Sequence, residues 1–543
     1  MRRSAIASGA ALVVVLCVPF VVRVAASSSR AVVARAGVAE TLVILTPNNE
    51  AIRVELERGF RASMARQGRT VAIDWRTPGG ASEIARYVAS EYAASFHRRW
   101  TDALHKPWSA AIAAGFSHPA EPGEPGEVAD ARAAFLASDV GCGIDLLFGG
   151  PSPDFAKHAA AGRLVDAGLA GRLPALFGEG GIPRTFRGQT FWDRDGRWTG
   201  TCLSSFGICT NRDALARLGV PRPSSWEALA DPVLAGEVAL ADPTKSSSVA
   251  TAFETIVQVA MSRAFDHARA TGADEAAATD AARHAGWDAG MRLIRRIGAN
   301  ARYFTDSATK IPLDVSMGEG AAGLCIDFYG RAQGEAAAAA GDPGRVGFAP
   351  AVGEMSYNAD PIGLLRGAPH RELAVAFMEF VLSDEGQKIW SFRRGAPGGP
   401  ERYALRRLPI SPHLYDHAYD ADRADPDENP YAPPAGDAPP FVYRPEWTRA
   451  LFGAISLVVR ATCVEPDAEL HDAWTALVRA KFPARATAVF DDVSLVDFAT
   501  VNGPLRAAMQ SSDPLDEARW TTRLIEEHRA LYRRVTALAR EGQ

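Results

Sequence analysis

Phe206-Gly207-Ile208-Cys209-Thr210-Asn211 and, further on, Glu237-Val238-Ala239-Leu240-Ala241-Asp242-Pro243-Thr244-Lys245-Ser246-Ser247-Ser248 decide how this chain folds. The β-branched and apolar run at 203–210 predicts a strand, and 237–241 predicts a second. Between them, 213–218 reads as a short helix ended by Gly219. After the second strand, Asp242-Pro243 turns the chain and the serines open a helix over 246–261. Strands alternating with helices predict a largely parallel sheet covered on both faces. The same block continues to about Pro350, with strands at 323–328 and 346–349. The alanine tract Ala336 to Ala340 reads as a helix end or a solvated helix face.

Upstream the alternation repeats. Thr41-Leu42-Val43-Ile44-Leu45 predicts a buried strand, and Pro47-Asn48-Asn49 turns the chain. A helix follows with Ile52, Leu56, Phe60 and Met64 on one face. Strands are expected at 71–75 and 144–148, the latter ended by Gly149-Gly150-Pro151. Ser82 reads as the N-cap of a helix reaching about Tyr92. The stretch 98–130 reads as a surface insertion with an irregular loop at 121–127. Downstream, Arg371 to Leu382 is amphipathic and Ser383-Asp384-Glu385 starts a fresh helix. The organisation expected is therefore 37–150 as lobe 1, 151–350 as lobe 2 and 351–415 as a return to lobe 1. A Pro/Asp-rich linker at 416–444 and a helical C-terminal extension at 445–543 follow.

Composition narrows the function. At 47% hydrophobic and 23% charged, 543 residues make an ordinary globular chain with room for more than one core. Met1-Arg2-Arg3, an apolar run from Ile6 to Val22 and small residues to Ser27 follow the order of a secretory signal. The run is long for a signal and short for a membrane span, so 1–36 reads as a signal peptide or an N-terminal anchor. No later segment reads as long and apolar enough to span a membrane. Without residues 1–30 the formal charge moves from −5 to −9, because four arginines and no acids leave. So acidic a body argues against nucleic acid as a partner. The cysteines after Cys17 are odd in number and widely spaced, with no CxxC, and read mostly as buried small hydrophobes. No GxSxG, HExxH, P-loop or GxGxxG is present, so no enzyme is expected and no cofactor is implied.

The order of motifs resembles the iron(III)-type branch of the periplasmic (type 2) extracellular solute-binding proteins of ABC transporters. Carrying the resemblance are Phe206-Gly207-Ile208, Asn211, Leu218-Gly219, Pro223-Ser224-Ser225-Trp226-Glu227-Ala228-Leu229, Asp231-Pro232-Val233-Leu234-Ala235-Gly236 and Ala239-Leu240-Ala241-Asp242-Pro243. Asp145-Leu146-Leu147-Phe148-Gly149-Gly150 and the stretch from Ala376 to Gln387 agree in order. The resemblance covers about 41–400 and leaves 401–543 unexplained. It implies an α/β, two-lobed type 2 periplasmic-binding-protein fold, with hinge strands, a ligand cleft and closure on the ligand. The helical C-terminal extension is additional to it. It also implies a periplasmic or extracellular place, a small-molecule or ion ligand, and an ABC permease as partner. The alternative role is a ligand sensor that signals to a membrane receptor.

Four loops are expected at such a cleft, where strand ends and helix starts meet and backbone N–H groups favour anions. Asn48 and Asn49 either bind a ligand or cap the next helix. Gly80 permits close backbone approach, and Ser82 either donates to a ligand or caps. Ser246 and Ser247, beside Lys245, suit a phosphate or carboxylate. In ferric-binding relatives the segment at Asp327-Phe328-Tyr329 carries two tyrosines that hold Fe(III). Here Phe328 takes the first position and has no donor oxygen, and asparagines replace the histidine expected near 48. The metal set implied for a transported ferric ion is thus Tyr329 with Asp327. The other reading is an organic or phosphorylated anion with Tyr329 and Arg331 as donors. Ser204 on the hinge strand and Tyr357, where the chain returns to lobe 1, complete the candidates.

Overall fold

The computed structural model describes residues 39–120, 123–433, 440–511 and 513–541. The expected signal or anchor, and Cys17 within it, lie outside the described residues. An eleven-stranded mixed sheet runs through the described residues. Its longer strands are β1 (Glu40–Leu45), β2 (Val71–Arg76), β3 (Leu146–Phe148), β4 (Thr199–Asn211), β5 (Val238–Ala241), β6 (Ala301–Thr305), β7 (Ala322–Ile326), β8 (Val346–Pro350) and β9 (Tyr357–Leu365). The spatial order is β2-β1-β3-β9-β4-β7-β5-β6, with β8 also paired to β4. β1 is parallel to β2 and β3, and β5 is parallel to β6 and β7.

β4 joins the two halves. Its first part, through Ser205, pairs antiparallel with β9, and from Phe206 onward it pairs with β7 and β8. All of its residues are buried. The chain crosses back between β8 and β9, so two connections span the junction and two lobes share one hinge strand. The main helices are α1 (Glu50–Arg66), α2 (Ala81–Arg98), α3 (Ser152–Ala160), α4 (Ser247–Ala270), α5 (Trp287–Ala299), α6 (Lys310–Met317), α7 (Asp327–Ala339), α8 (Arg371–Leu382), α9 (Asp384–Ser391), α10 (Asp467–Arg479) and α11 (Pro514–Glu541).

α1 buries Ile52, Leu56, Phe60 and Met64, the predicted face. It crosses α8 and α9 so closely that a Cβ at Gly59 would stand 2.5 Å from Ile389 Cδ1 and 2.8 Å from Phe380 Cζ. Ser383 caps α9 by accepting from the Gly386 N–H. Ser82, however, does not cap α2. The N-cap is Gly80, and Ser82 lies one residue inside the helix.

The lobe boundaries differ from the expected ones. Residues 151–198 pack into lobe 1, where Phe155, Leu164, Ile182, Phe191 and Trp198 join its two apolar clusters. Lobe 2 begins only where β4 changes partners, because a continuous strand hides the crossover from a reading of local pattern. Where it is described, the 98–130 stretch reaches the core: Trp100 and Phe116 are buried, Phe116 stacks on Phe96 at 4.8 Å, and Phe135 meets both phenylalanines edge-on, while part of the irregular loop expected at 121–127 lies outside the described residues. The 416–444 segment is tied down where it is described. Arg406 pairs with Asp425, and the Tyr431 hydroxyl donates to the Ile410 carbonyl at 2.7 Å.

The C-terminal helices are built into lobe 2. Trp447, Ile455, Trp474, Phe490 and Tyr532 share one buried cluster with Trp287, Ile294 and Ile297. Pro445–Val464 is long and apolar enough to cross a membrane, contrary to the sequence reading, and 67% of its most apolar window is buried in this core. The described cysteines are all free.

Two buried histidines make the fold acid-sensitive. Burial and the nearby Arg163 and Lys157 push His158 down to about 3. Burial and Arg295 do the same to His528, also to about 3. Below the ordinary histidine value near ~6.5 the unfolded chain takes up protons that the folded chain refuses, so stability falls as pH falls. Each histidine is expected to cost about 1.4 kcal/mol per pH unit from near ~6.5 downward. Urea unfolding between those limits should show a pH slope that His158→Gln and His528→Gln each flatten. A slope unmoved by both substitutions contradicts the assignment.

Candidate functional site

A cavity of about 380 Å³ lies between the lobes at the hinge. That volume falls within the ordinary range for small-molecule sites. Lobe 1 supplies Asn48, Asn49, Gly80 and Ser82, and β4 supplies Ser204. Lobe 2 supplies Ser246, Ser247, Ser248 and Tyr329. All of these but Ser248 are among the eleven residues expected at the cleft, so eight of the eleven meet in one place.

Helix starts surround this cavity. α1, α2 and α3 from lobe 1 and α4, α6 and α7 from lobe 2 all have first-turn or capping residues in its lining. Only α1 has a side-chain cap, Asn49 Oδ1 accepting from the Ile52 N–H at 3.1 Å. The other five have none. Apart from Pro153 in α3 and Pro312 in α6, which carry no N–H, their first-turn N–H groups have no side-chain cap, and each helix brings roughly half a positive charge to its N-terminal end. Capping therefore accounts for Asn49 but not for the serines. Ser246 is the N-cap of α4, yet its hydroxyl makes no capping bond. Asn48 lies against Gly149, whose φ of +84° and missing side chain make the space: a Cβ there would be 2.8 Å from Asn48 Oδ1.

Three of the four acids lining the cavity, Glu83, Asp306 and Asp360, are ion-paired, and the fourth, Glu254, accepts from Tyr443 and Thr448 through one oxygen. Lys245 Nζ is 2.7 Å from Asp306 Oδ1. Arg86 holds Glu83 at 3.1 Å. Arg407 Nη2 is 2.5 Å from Asp360 Oδ2, and Ser204 donates to Asp360 Oδ1 at 3.2 Å. Around these three ion-paired acids the free electrostatic character of the cavity is thus that of the helix ends.

Tyr329 stands in the first turn of α7 and lines the cavity. Burial pushes its hydroxyl up, while the Arg407 guanidinium and the Asn49 side chain pull the other way. Asn49 belongs to lobe 1 and Tyr329 to lobe 2, so their contact crosses the cleft. Phe328, where relatives were expected to carry a tyrosine, faces the Arg407 guanidinium at 4.2 Å. An aromatic face without a hydroxyl suits that cation.

Three expected residues lie elsewhere. α7 begins at Asp327, so the strand end expected there is a helix start. Asp327 and Arg331 are one turn apart and share a face, turned away from the cavity that Phe328 and Tyr329 line. Asp327 is fully buried and ion-paired with Arg331 at 3.1 Å, and Arg331 also reaches Glu428 at 3.4 Å. The implied metal pair of Tyr329 with Asp327 is therefore not assembled. Among the described residues no group of three or more His, Cys, Asp or Glu is placed to hold a metal ion. Tyr357 opposes Ser205 across the hinge and packs against Phe186 and the Arg187 guanidinium, outside the cavity.

Several lining residues escaped the sequence reading. Arg407 is 2% exposed, and its Nε has no partner. Asn358 presents a buried, unpartnered Nδ2. Arg407 belongs to the stretch beyond 400 that no motif covered. A buried arginine leaves no periodic signal, since its partner Asp360 is distant in sequence.

Residues 161–411 match the family of bacterial extracellular solute-binding proteins. The chain resembles the phosphoglycerate transport regulatory protein PgtC of Salmonella typhimurium, at 24% identity over 211 residues, 38% of this chain and 42% of that protein. An uncharacterized protein of Haemophilus influenzae is 26% identical over 190 residues, 34% of this chain and 45% of its own length. The chain thus spans less than half the length of the curated relatives it matches. Among solved structures, iron-bound HitA from Pseudomonas aeruginosa is similar at 14% identity and a TM-score of 0.46, covering 77% of this chain and 99% of HitA. AfuA from Actinobacillus pleuropneumoniae with fructose-6-phosphate is similar at 18% identity and a TM-score of 0.40, covering 64% of this chain and 81% of AfuA.

Proposed function

We propose that this chain is the extracytoplasmic binding component of an ABC-type importer and captures a small phosphate-bearing anion by closure of its lobes about β4. The observation that carries this reading is the convergence of five helix starts without side-chain caps on a cavity where Glu83, Asp306 and Asp360 are already ion-paired. Backbone N–H groups at helix ends bind phosphate without paying for reorganisation, and the dipoles add to them. Both lobes contribute, so an anion held between them favours the closed state by its higher affinity for that state. The match to solute-binding proteins and a relative named for phosphoglycerate transport regulation support it. Tyr329 is the single phenol left from the expected ferric pair, which favours the anion over a bare ferric ion as cargo. The site does binding rather than catalysis, and its partner is a membrane permease. The protein works outside the cytoplasm, freed by signal cleavage or held by an N-terminal anchor.

A sensing role is the second reading, favoured by the helical region fused to lobe 2 beyond the family match. Capture of a signalling receptor without a permease would select it. The binding claim is tested by thermal unfolding with sugar phosphates, inorganic phosphate, ferric citrate and neutral sugars. Phosphate-bearing compounds are expected to raise Tm, since a ligand at a hundred times its Kd adds about 2.7 kcal/mol. Neutral sugars are expected to leave it unchanged. Stabilisation by ferric ion alone, or by none of the set, overturns the reading.

A further inference from the structure

The anion pole accounts for only one end of the cavity. Along α4, Ser247, Thr251 and Glu254 all line it, spaced four and then three residues apart. That spacing puts them on one helix face, and seven residues rise about 10 Å. Glu254 is 5% exposed and lies at the far end of this stripe. Its Oε1 accepts from the Tyr443 hydroxyl at 2.9 Å and from Thr448 Oγ1 at 2.6 Å. Its Oε2 has no protein partner among the described residues, in a side chain that faces the cavity.

Tyr443 and Thr448 belong to the C-terminal region, beyond the family match at 161–411. Tyr443 and Phe452 themselves line the cavity. Gln258, one turn below Glu254, holds this segment in place. Its Nε2 donates to the Arg444 carbonyl and to Thr448 Oγ1, each at 2.7 Å, and its Oε1 accepts from the Arg444 N–H at 3.1 Å. The segment is therefore a wall of the binding site, pinned so that Glu254 keeps one oxygen engaged and one open.

We propose that Glu254 is a second subsite, held in position by Tyr443 and Thr448, that accepts hydrogen bonds from hydroxyl groups of the ligand. The ligand class is then a phosphorylated polyol, with its phosphate at the helix starts and its hydroxyls along the α4 stripe. This rests on the anion-binding reading above and adds the ligand's other end. A hydroxyl suits the site better than an ammonium for two reasons. The stripe between the poles is itself hydroxyl-bearing, through Ser247, Thr251 and Tyr443. Burial also pushes the Glu254 carboxyl up, which weakens it as a counter-charge but leaves it able to accept. An open carboxylate oxygen in so enclosed a place is costly unless a donor meets it.

The test is calorimetric titration with two probes, inorganic phosphate and ribitol 5-phosphate, read as the ratio of their affinities. In the unaltered protein ribitol 5-phosphate is expected to bind at least ~10-fold more tightly, the gain from one or two hydrogen bonds to a charged group. Glu254→Gln keeps the volume but turns the open oxygen into a donor, and the ratio is expected to fall below ~3-fold. Tyr443→Phe, which frees Glu254 from one of its two anchors, should lower the ratio part of the way and carries the test if Glu254→Gln does not fold. An unchanged ratio in a folded Glu254→Gln, or no preference in the unaltered protein, overturns the subsite while leaving the anion pole standing. Failure of both probes to bind the unaltered protein overturns the anion reading itself, and this inference with it.

Discussion

A chain ending at residue 433 is expected to lose the folded structure of lobe 2. The family match stops at 411, yet the core of lobe 2 does not. Trp287 is fully buried and donates its Nε1–H to the Val496 carbonyl at 2.8 Å. Arg295, 2% exposed, gives its guanidinium to the carbonyls of Phe490 and Asp492. Asn300 accepts from Trp474 Nε1 at 2.7 Å. Truncation strips these groups of partners and exposes the apolar faces that Trp447, Ile455, Trp474, Phe490 and Tyr532 cover. Five large side chains at roughly 1.5–3 kcal/mol each approach the whole stability of a domain, about 5–15 kcal/mol. The lobe 1 clusters contain no residue beyond 431, so lobe 1 should survive. The expected result is one smaller thermal transition and rapid proteolysis of 206–350. A truncated protein that melts like the full chain and still binds phosphate would show the extension to be dispensable.

Ser247→Glu is expected to remove anion binding, at least ~100-fold, while leaving the protein folded. The substitution puts a carboxylate at the first residue of α4, inside the cavity. For the helix this is favourable, since an acid near its N-terminus contributes about 0.3–1 kcal/mol. For an anionic ligand the same carboxylate occupies the pole and repels what remains. A hundredfold loss is about 2.7 kcal/mol, within reach of one like charge in a poorly solvated place. Ser247→Ala removes a single hydroxyl and should cost about 10-fold. The opposite signs make the pair decisive: ligand-free Tm unchanged or raised, phosphate affinity lost. Unaltered phosphate affinity in Ser247→Glu would place the anion elsewhere.

Much of this could be read from local pattern. The periodicity of Ile52, Leu56, Phe60 and Met64 specified α1 and its buried face. The Phe206–Ser248 stretch contains a strand, a helix, a strand and a helix start in the order observed. The loops after strands supplied the cavity with the asparagines, glycine and serines expected of them. These features are local: side-chain spacing, turn residues and caps act within a few positions.

Errors arose where distance in space and distance in sequence part company. Asp327 and Arg331 were expected at the ligand because a strand was extended two residues too far, to 328 where it ends at Ile326. Once the helix starts at Asp327, rotation by a residue or two decides which side chain faces the cavity. The lobe boundary sits within an unbroken strand, where pairing partners change but residue pattern does not.

The amino-acid sequence by itself determined the alternation of strands and helices, the two α/β blocks and the loops that carry helix starts, because short-range spacing is enough for these. Only the tertiary structure brought those starts to one cavity and set Arg407 beside Phe328. It alone closed the far end with Tyr443 and Thr448 against Glu254. Burial and long-range pairing are properties of the packed chain, and nothing in 441–452 announces that its neighbours are near 254.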